Sequence, residues 1–304
     1  MSESIPYIGR FAPSPTGPLH FGSLIAAIAS YLEARRHNGH WLVRMEDVDE
    51  LRNVAGAADD ILFTLEAYGF EWDGDILYQT RRKDAYQAAM EQLAEQDLIY
   101  RCTCSRRDLQ DVAEPGVHGL IYPGICANSH HPEHVEHAVR LRTQDQAIDF
   151  TDAIMGSYGH NPKQDVGDFI IRRRDGLFAY QLAVVVDDAY QNITHVVRGT
   201  DLLDSTPRQI YLQQCLQFAT PHYAHLPLAV NAKGDKLSKQ TQAPAIEKSK
   251  AATMLVKALR FLGQEPEAGL EHASLDTLWE WATSHWNMDN IPRQQHIILP
   301  DKLI

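Results

Sequence analysis

From Ala12 to Pro18 the chain reads Ala-Pro-Ser-Pro-Thr-Gly-Pro, a run that neither helix nor strand can continue through. Before it, the stretch IPYIGR (residues 5–10) suits a short strand. After it, from about Gly22, LIAAIASYLEARR has helical periodicity and ends in basic residues just before Asn38-Gly39, a normal helix stop. WLVRMED then reads as a second strand. Strand, glycine-containing loop, helix, strand is the opening of a parallel α/β sheet, and it aims a helix N-terminus at the loop.

The remaining pattern is less uniform. Residues 54–68 and 81–96 read as amphipathic helices. The region 100–165 is rich in Cys, His, Pro and Gly with weak periodicity, which marks an insertion. FIIRRRDG, FAYQLAVVVDD and ITHVVRG read as mostly strand-like, being rich in Val and Ile. PRQIYLQQCLQF (residues 207–218) reads as a helix with Pro207 in its first turn. Two further helices are expected in KAATMLVKALRFLG and SLDTLWEWATSHW. No internal repeat or low-complexity tract is visible.

Bulk properties narrow the functional classes. The chain has 304 residues, 44% hydrophobic and 22% charged, as expected of a globular protein. No apolar run approaches a membrane span, and MSESIPYIGRFA lacks the basic start and apolar core of a signal peptide, so a cytoplasmic address is the default. The formal net charge of -12 argues against non-specific coating of nucleic acid, but not against a small RNA footprint. Local basic clusters at Arg81-Arg82-Lys83 and Arg172-Arg173-Arg174 are the guesses for that footprint. Of four cysteines, Cys102, Cys104 and Cys126 lie close together in a chain without a secretory signal, which favours a metal over disulfides. Zinc takes four ligands, so these thiols need one more, for which His118, His130 and His131 are at hand. Cys215 falls in a helical pattern and reads as core.

Two short segments carry chemistry. His20 stands where the proline-rich loop enters the helix, and Gly22, lacking a side chain, allows close approach there. Lys236 and Lys239 flank Leu237-Ser238 far along the chain and suit an anionic leaving group. Attack of a carboxylate on the α-phosphate of ATP needs such positioned donors more than it needs a covalent nucleophile. No P-loop sequence is present.

The segments RFAPSPTGPLHFGS, MEDVD, FAYQLAVVVDDAYQNITHVVRGTDLLDSTPRQIYL and KLSK occur in this order over roughly residues 8–240. They resemble the catalytic domain of glutamyl-tRNA synthetases, in the class I aminoacyl-tRNA synthetase family. PSPTG is the glutamyl form of the first motif. Two positions depart from the family pattern: Ser23 replaces a second histidine, and Gln240 replaces a frequent serine. The resemblance implies a Rossmann-type α/β fold with a parallel sheet, a zinc-containing insertion and a short helical C-terminal appendage. The implied bounds are 1–80 and 180–245 for the two catalytic halves, 81–179 for the insertion and 246–304 for the appendage.

The resemblance also implies roles. His20, Lys236 and Lys239 would be catalytic, with His20, Gly22 and Lys239 on ATP and its Mg2+. Arg10, Phe11, Ala12, Pro13, Ser14, Glu46, Tyr180 and Arg198 would line the glutamate pocket. Arginine suits the two carboxylates through bidentate bonds, and Glu46 would receive the ammonium. A Cys-x-Cys and Tyr-x-x-x-Cys pattern implies Tyr122 as the fourth ligand of one structural Zn2+. The chain ends at Ile304, too soon after Gln240 for an anticodon-binding domain of ~100 residues. That matches the truncated glutamyl-queuosine tRNA(Asp) synthetases, which activate L-glutamate without tRNA and transfer it to queuosine at the wobble position of tRNA(Asp). A monomer is assumed. The alternatives are a short glutamyl-tRNA synthetase that charges a tRNA 3′ end, and a catalytically silent zinc protein that binds RNA.

Overall fold

The computed structural model describes residues 6–117, 119–132, 134–231, 234 and 244–299. Lys236, Lys239 and His118 lie outside the described residues.

Strand β1 (Ile8–Phe11) runs into the proline-rich loop, helix α1 (Phe21–Arg36) follows, and β2 (His40–Met45) returns parallel to β1. After α2 (Ala57–Ala67), the short β3 (Leu77–Tyr78) adds to β2, again in parallel. Then come α3 (Lys83–Glu95), β4 (Ile99–Cys102), α4 (Arg106–Gln110), a small hairpin of β5 (Pro115–Gly116) and β6 (Gly119–Leu120), and β7 (Ala138–Leu141). They are followed by β8 (Ile148–Asp152), β9 (Gly156–His160), α5 (Pro162–Asp165) and β10 (Phe169–Arg172). Strands β10, β7 and β4 form an antiparallel sheet that carries the cysteine-rich loops.

The chain continues as α6 (Tyr180–Tyr190), β11 (His195–Gly199), α7 (Thr206–Leu216), β12 (His222–Leu226) and β13 (Leu228–Val230). Parallel β11 and β12 match residue for residue from His195 with His222 to Gly199 with Leu226. β8 joins the other edge of β12 in parallel, and β9 folds back on β8, giving the order β11-β12-β8-β9. Thr194 stitches this sheet to β1. Its amide donates to the Ile8 carbonyl (3.0 Å), and its hydroxyl accepts from the Ile8 amide (2.8 Å). The tail forms α8 (Ala251–Phe261), α9 (Leu275–His285) and β14 (His296–Ile298), which pairs in parallel with β13. The result is an α/β fold built on parallel strands with a helical C-terminal part.

Two expectations change. FAYQLAVVVDD is not strand-like: its residues from Tyr180 form α6. Leu182 through Asp188 are buried all round that helix, and a run buried on every side shows neither period. The weakly patterned region before residue 165 also yields real strands, two of which, β8 and β9, extend the sheet beyond β12.

The core explains the tail. Trp41 is fully buried, donates to Ser30 Oγ (2.9 Å), and lies within an aromatic group of Phe11, Tyr31 and Phe70 that Trp279 of α9 completes. Gly69 ends α2 with a left-handed φ of 76°, and a side chain there would run into the Trp279 indole. No helix among the described residues is long and apolar enough to cross a membrane.

Candidate active site and metal centre

The proline-rich loop lies at the C-terminal end of β1, where ligands bind in open parallel sheets. The Glu46 amide donates to the Pro13 carbonyl (2.9 Å) and the Val54 amide to that of Pro15 (3.0 Å), which fixes the loop against the end of β2. A cavity of about 550 Å³ opens there. Ala12, Pro13, Ser14, His20 and Gly22 line it from one side, and Gly199 and Leu228 from the other. Phe11 also borders the cavity, but its ring is buried against Trp41.

His20 caps the 16-residue α1 with extended backbone and no side-chain cap, which leaves the first amides of the helix directed at the cavity side. Its Nδ1 meets the Pro244 carbonyl at 3.0 Å. A carbonyl only accepts, so Nδ1 carries the proton. Among the described residues Nε2 is enclosed without a partner, and with Nδ1 so protonated it donates to a phosphate oxygen only as imidazolium. The expectation of a donating His20 therefore acquires a condition on its charge. Ala245 bridges to His20, and the Ile246 amide donates to Leu19 (3.0 Å). The described residues on either side of 232–243 thus border the cavity, while Lys236 and Lys239 themselves are outside the description.

The residues expected around glutamate share one electrostatic neighbourhood. Tyr180, the first residue of α6, has its phenol pushed up to about 12, first by burial and then by the Glu46 charge, with Arg198 and Arg10 opposing. Arg10 is not free: its Nε donates to Asp188 Oδ1 at 3.1 Å, and Arg44 Nη2 reaches the same oxygen at 2.7 Å. Burial would raise Asp188, yet these two guanidiniums hold it below the usual carboxylate range. Arg44 also approaches Glu46 Oε1 at 3.4 Å. Burial nevertheless keeps Glu46 above its ordinary value despite Arg44 and Arg10, a carboxylate that an ammonium would complement.

Arg198 differs from Arg10 and Arg44. Among the described residues its partners are neutral: Nε donates to His225 Nε2 (3.1 Å) and Nη2 to Thr206 Oγ1 (2.8 Å). Its Nη1 is buried without a hydrogen-bond partner. An enclosed cationic donor left open costs several times a surface one, so this position calls for an anion. Sequence reading missed Arg44, Asp188, His225 and Asp152. For Asp188 and its partner Arg44 the available signal was the acidic pair ending the apolar run of α6, since buried carboxylates demand cationic partners.

The basic clusters are partly committed internally. Arg82 pairs with buried Asp187 (3.1 Å), and Arg173 with Asp49 (3.0 Å) and Asp175 (2.6 Å).

The cysteine expectation is met in geometry. The sulfurs of Cys102, Cys104 and Cys126 lie within 4.8 Å of one another, and all three are free thiols. Tetrahedral zinc with bonds of about 2.3 Å needs ligands about 3.8 Å apart, so the group is compact enough to close on a metal. The Tyr122 hydroxyl lies 3.3 Å from Cys102 Sγ and 3.6 Å from Cys104 Sγ, and accepts from the Cys126 amide at 2.9 Å. Among the described residues the compact group holds no histidine: His130 is exposed, and His131 lies beside Cys126. Cys126 is lowered to about 6; burial opposes this, but the Thr103 amide, Cys104, Tyr122 and His131 outweigh it. Cys215, in α7, is half-buried and apart from the group.

Comparisons with known proteins identify the family. The family model for tRNA synthetases class I (E and Q), catalytic domain, matches residues 8–292. A glutamyl-Q tRNA(Asp) synthetase of Dechloromonas aromatica (strain RCB) is 55% identical over 297 residues, covering 97% of this chain and 99% of the relative. One from Ectopseudomonas mendocina (strain ymp) is 50% identical over 289 residues, 95% of this chain and 96% of the relative. The crystal structure of a glutamate-tRNA synthetase from Elizabethkingia anophelis has the same fold, with a TM-score of 0.80 at 23% identity over 98% of this chain and 69% of that one. The chain belongs to the class I tRNA synthetases (E and Q), and within them to the glutamyl-Q tRNA(Asp) synthetases.

Proposed function

We propose that the chain activates L-glutamate with ATP, without tRNA, and transfers the glutamyl group to queuosine at the wobble position of tRNA(Asp). The observation that carries the glutamate assignment is the open, buried Nη1 of Arg198, whose charge reaches the Tyr180 phenol together with that of the buried Glu46: an arginine with only neutral described partners and a carboxylate held in one neighbourhood. The relatives' names supply the acceptor.

The α-carboxylate of glutamate attacks the α-phosphorus of ATP in line; pyrophosphate leaves and a glutamyl-adenylate forms. Arg198 holds one carboxylate and Glu46 the ammonium. Tyr180 borders the side chain, and Arg10 adds positive charge while remaining tied to Asp188. Ala12, Pro13 and Ser14 shape the entry. His20 and the open amides of α1 receive phosphate oxygens near Gly22, with Mg2+ as the expected counter-ion, and Lys236 and Lys239 take the leaving pyrophosphate. Cys102, Cys104, Tyr122 and Cys126 hold one structural Zn2+, which supplies no chemistry to the reaction but ties the loops around β4 together. The enzyme acts as a cytoplasmic monomer.

Incubation with ATP, labelled glutamate and purified tRNAs tests this. Label should appear on tRNA(Asp) only when it contains queuosine. Label on the 3′ end of tRNA(Glu) would overturn the assignment.

A further inference from the structure

Three adjacent strands place three polar side chains in a row. Arg198 of β11 and His225 of β12 are register partners, and Asp152 ends β8 on the other side of β12. Neighbours in register project to the same face of a sheet, and Asp152 is in register with Tyr223, two residues before His225 and so on its face, which brings the three together. His225 and Asp152 are wholly shielded from solvent at their side chains. Asp152 Oδ2 lies 2.6 Å from His225 Nδ1, and its Oδ1 accepts from the His225 amide at 3.1 Å and from the amides of Ile154 and Met155. His225 Nε2 then faces Arg198 Nε at 3.1 Å.

The donor and acceptor assignment at the imidazole closes in one way. A carboxylate accepts, so His225 Nδ1 carries the proton, and Nε2 presents its lone pair to the Arg198 N–H. Burial and the Arg198 charge hold the imidazole down to about 4 against the pull of Asp152, which keeps it neutral. Thr206, the first residue of α7, accepts from Arg198 Nη2, and its hydroxyl lies 3.1 Å from both the Leu202 carbonyl and His225 Nε2, either of which can take its one proton. Tyr223, two residues before His225, lies under the guanidinium at 5.3 Å. The guanidinium is therefore held from three sides, and Nη1 is the group left open.

We infer that Asp152 and His225 are positioning residues for substrate: they form a buried relay that sets the His225 tautomer, orients Arg198, and leaves its Nη1 for the glutamate carboxylate. The relay backs Arg198 with a neutral acceptor where Arg10 and Arg44 are backed by a carboxylate. The full charge of Arg198 is thus available to an acid, and a neutral amide gains less from it, so the relay also favours glutamate over glutamine. This inference rests on the proposed role of Arg198.

Glutamate-dependent exchange of pyrophosphate into ATP tests it, with KM measured separately for glutamate and ATP. Asp152→Asn keeps the shape and the Oδ1 acceptor but turns an amide N–H toward Nδ1, which forces the other tautomer against Arg198. It and His225→Leu should raise the glutamate KM about 10- to 100-fold, as loss of a hydrogen bond to a charged group does. The ATP KM should stay within about twofold, because the phosphate site is elsewhere. His225→Gln, whose Oε1 reaches the position of Nε2, should recover most of the loss; His225→Asn, equally polar but too short, should not. Arg198→Ala serves as the reference. If Arg198→Ala raises the glutamate KM while Asp152→Asn and His225→Leu do not, the relay is wrong and the Arg198 reading stands. If His225→Asn matches His225→Gln, or if both KM values rise together with a lowered melting temperature, the role is structural only. If Arg198→Ala itself leaves the glutamate KM unchanged, both readings fall.

Discussion

Asp188 shows how one carboxylate organises several functional side chains. It sits at 6% side-chain exposure and takes Arg10 and Arg44 on one oxygen. Removing its charge strands two buried guanidiniums. Asp188→Asn should therefore destabilise the protein by about 3–5 kcal/mol near neutral pH, as breaking a buried ion pair does. The pH dependence has a fixed sign. Asp188 is depressed in the fold by Arg10 and Arg44 over the opposing effect of burial. Its stabilisation is complete above the unfolded carboxylate value of about 3.9 and is lost as pH falls through the lower folded value. Urea unfolding of parent and variant should show a gap that is constant from pH 6 to 8 and narrows in acid. A gap that widens in acid would contradict the pairing.

Among the elements, the loops around the candidate metal centre depend on one glycine. Gly167 has a left-handed φ of 75° and bridges to Tyr122, whose backbone passes so close that a Cβ would collide with it. Gly167→Ala should displace Tyr122 from the sulfurs. Metal analysis of the purified protein should find about one zinc per parent chain and clearly less in the variant; equal content would remove Tyr122 from the centre. The same loops show what a sequence can reveal. Cys102, Cys104 and Cys126 were legible as a group because they cluster in a sequence without a visible secretory signal, which favours a metal over disulfides, and the strand–loop–helix start was legible because Pro13, Pro15, Gly17 and Pro18 break both regular periods. α6 was not, because Val184, Val185 and Val186 are buried on every side and β-branched residues favour strands in isolation. Asp152 and His225 were invisible for another reason: their meeting is created by the order β11-β12-β8, which no local pattern encodes.

At the scale of the whole molecule, the C-terminal helices belong to the same core as the parallel strands. α8 and α9 contribute Leu255, Leu259, Leu278 and Ala282 to the apolar cluster that holds α1 and Trp41. Trp286, just after α9, is 1% exposed; its Nε1 donates to Glu33 Oε2 on α1 at 2.6 Å, and its carbonyl accepts from Arg36. β14 then pairs with β13, whose Leu228 lines the nucleotide-side cavity. The tail is thus tied to α1 at one end and to the cavity wall at the other. Trp286→Ala should cost about 3–5 kcal/mol, as large-to-small changes of buried aromatics do, and it leaves Glu33 buried without its donor. Because the core is shared, the loss should appear as one transition at lower urea. Circular dichroism and glutamate-dependent exchange activity should then fall together. An early CD step that leaves activity intact would mean that the tail unfolds by itself. Coincident curves would show that the helical tail helps to hold α1, the helix whose first turn lines the cavity.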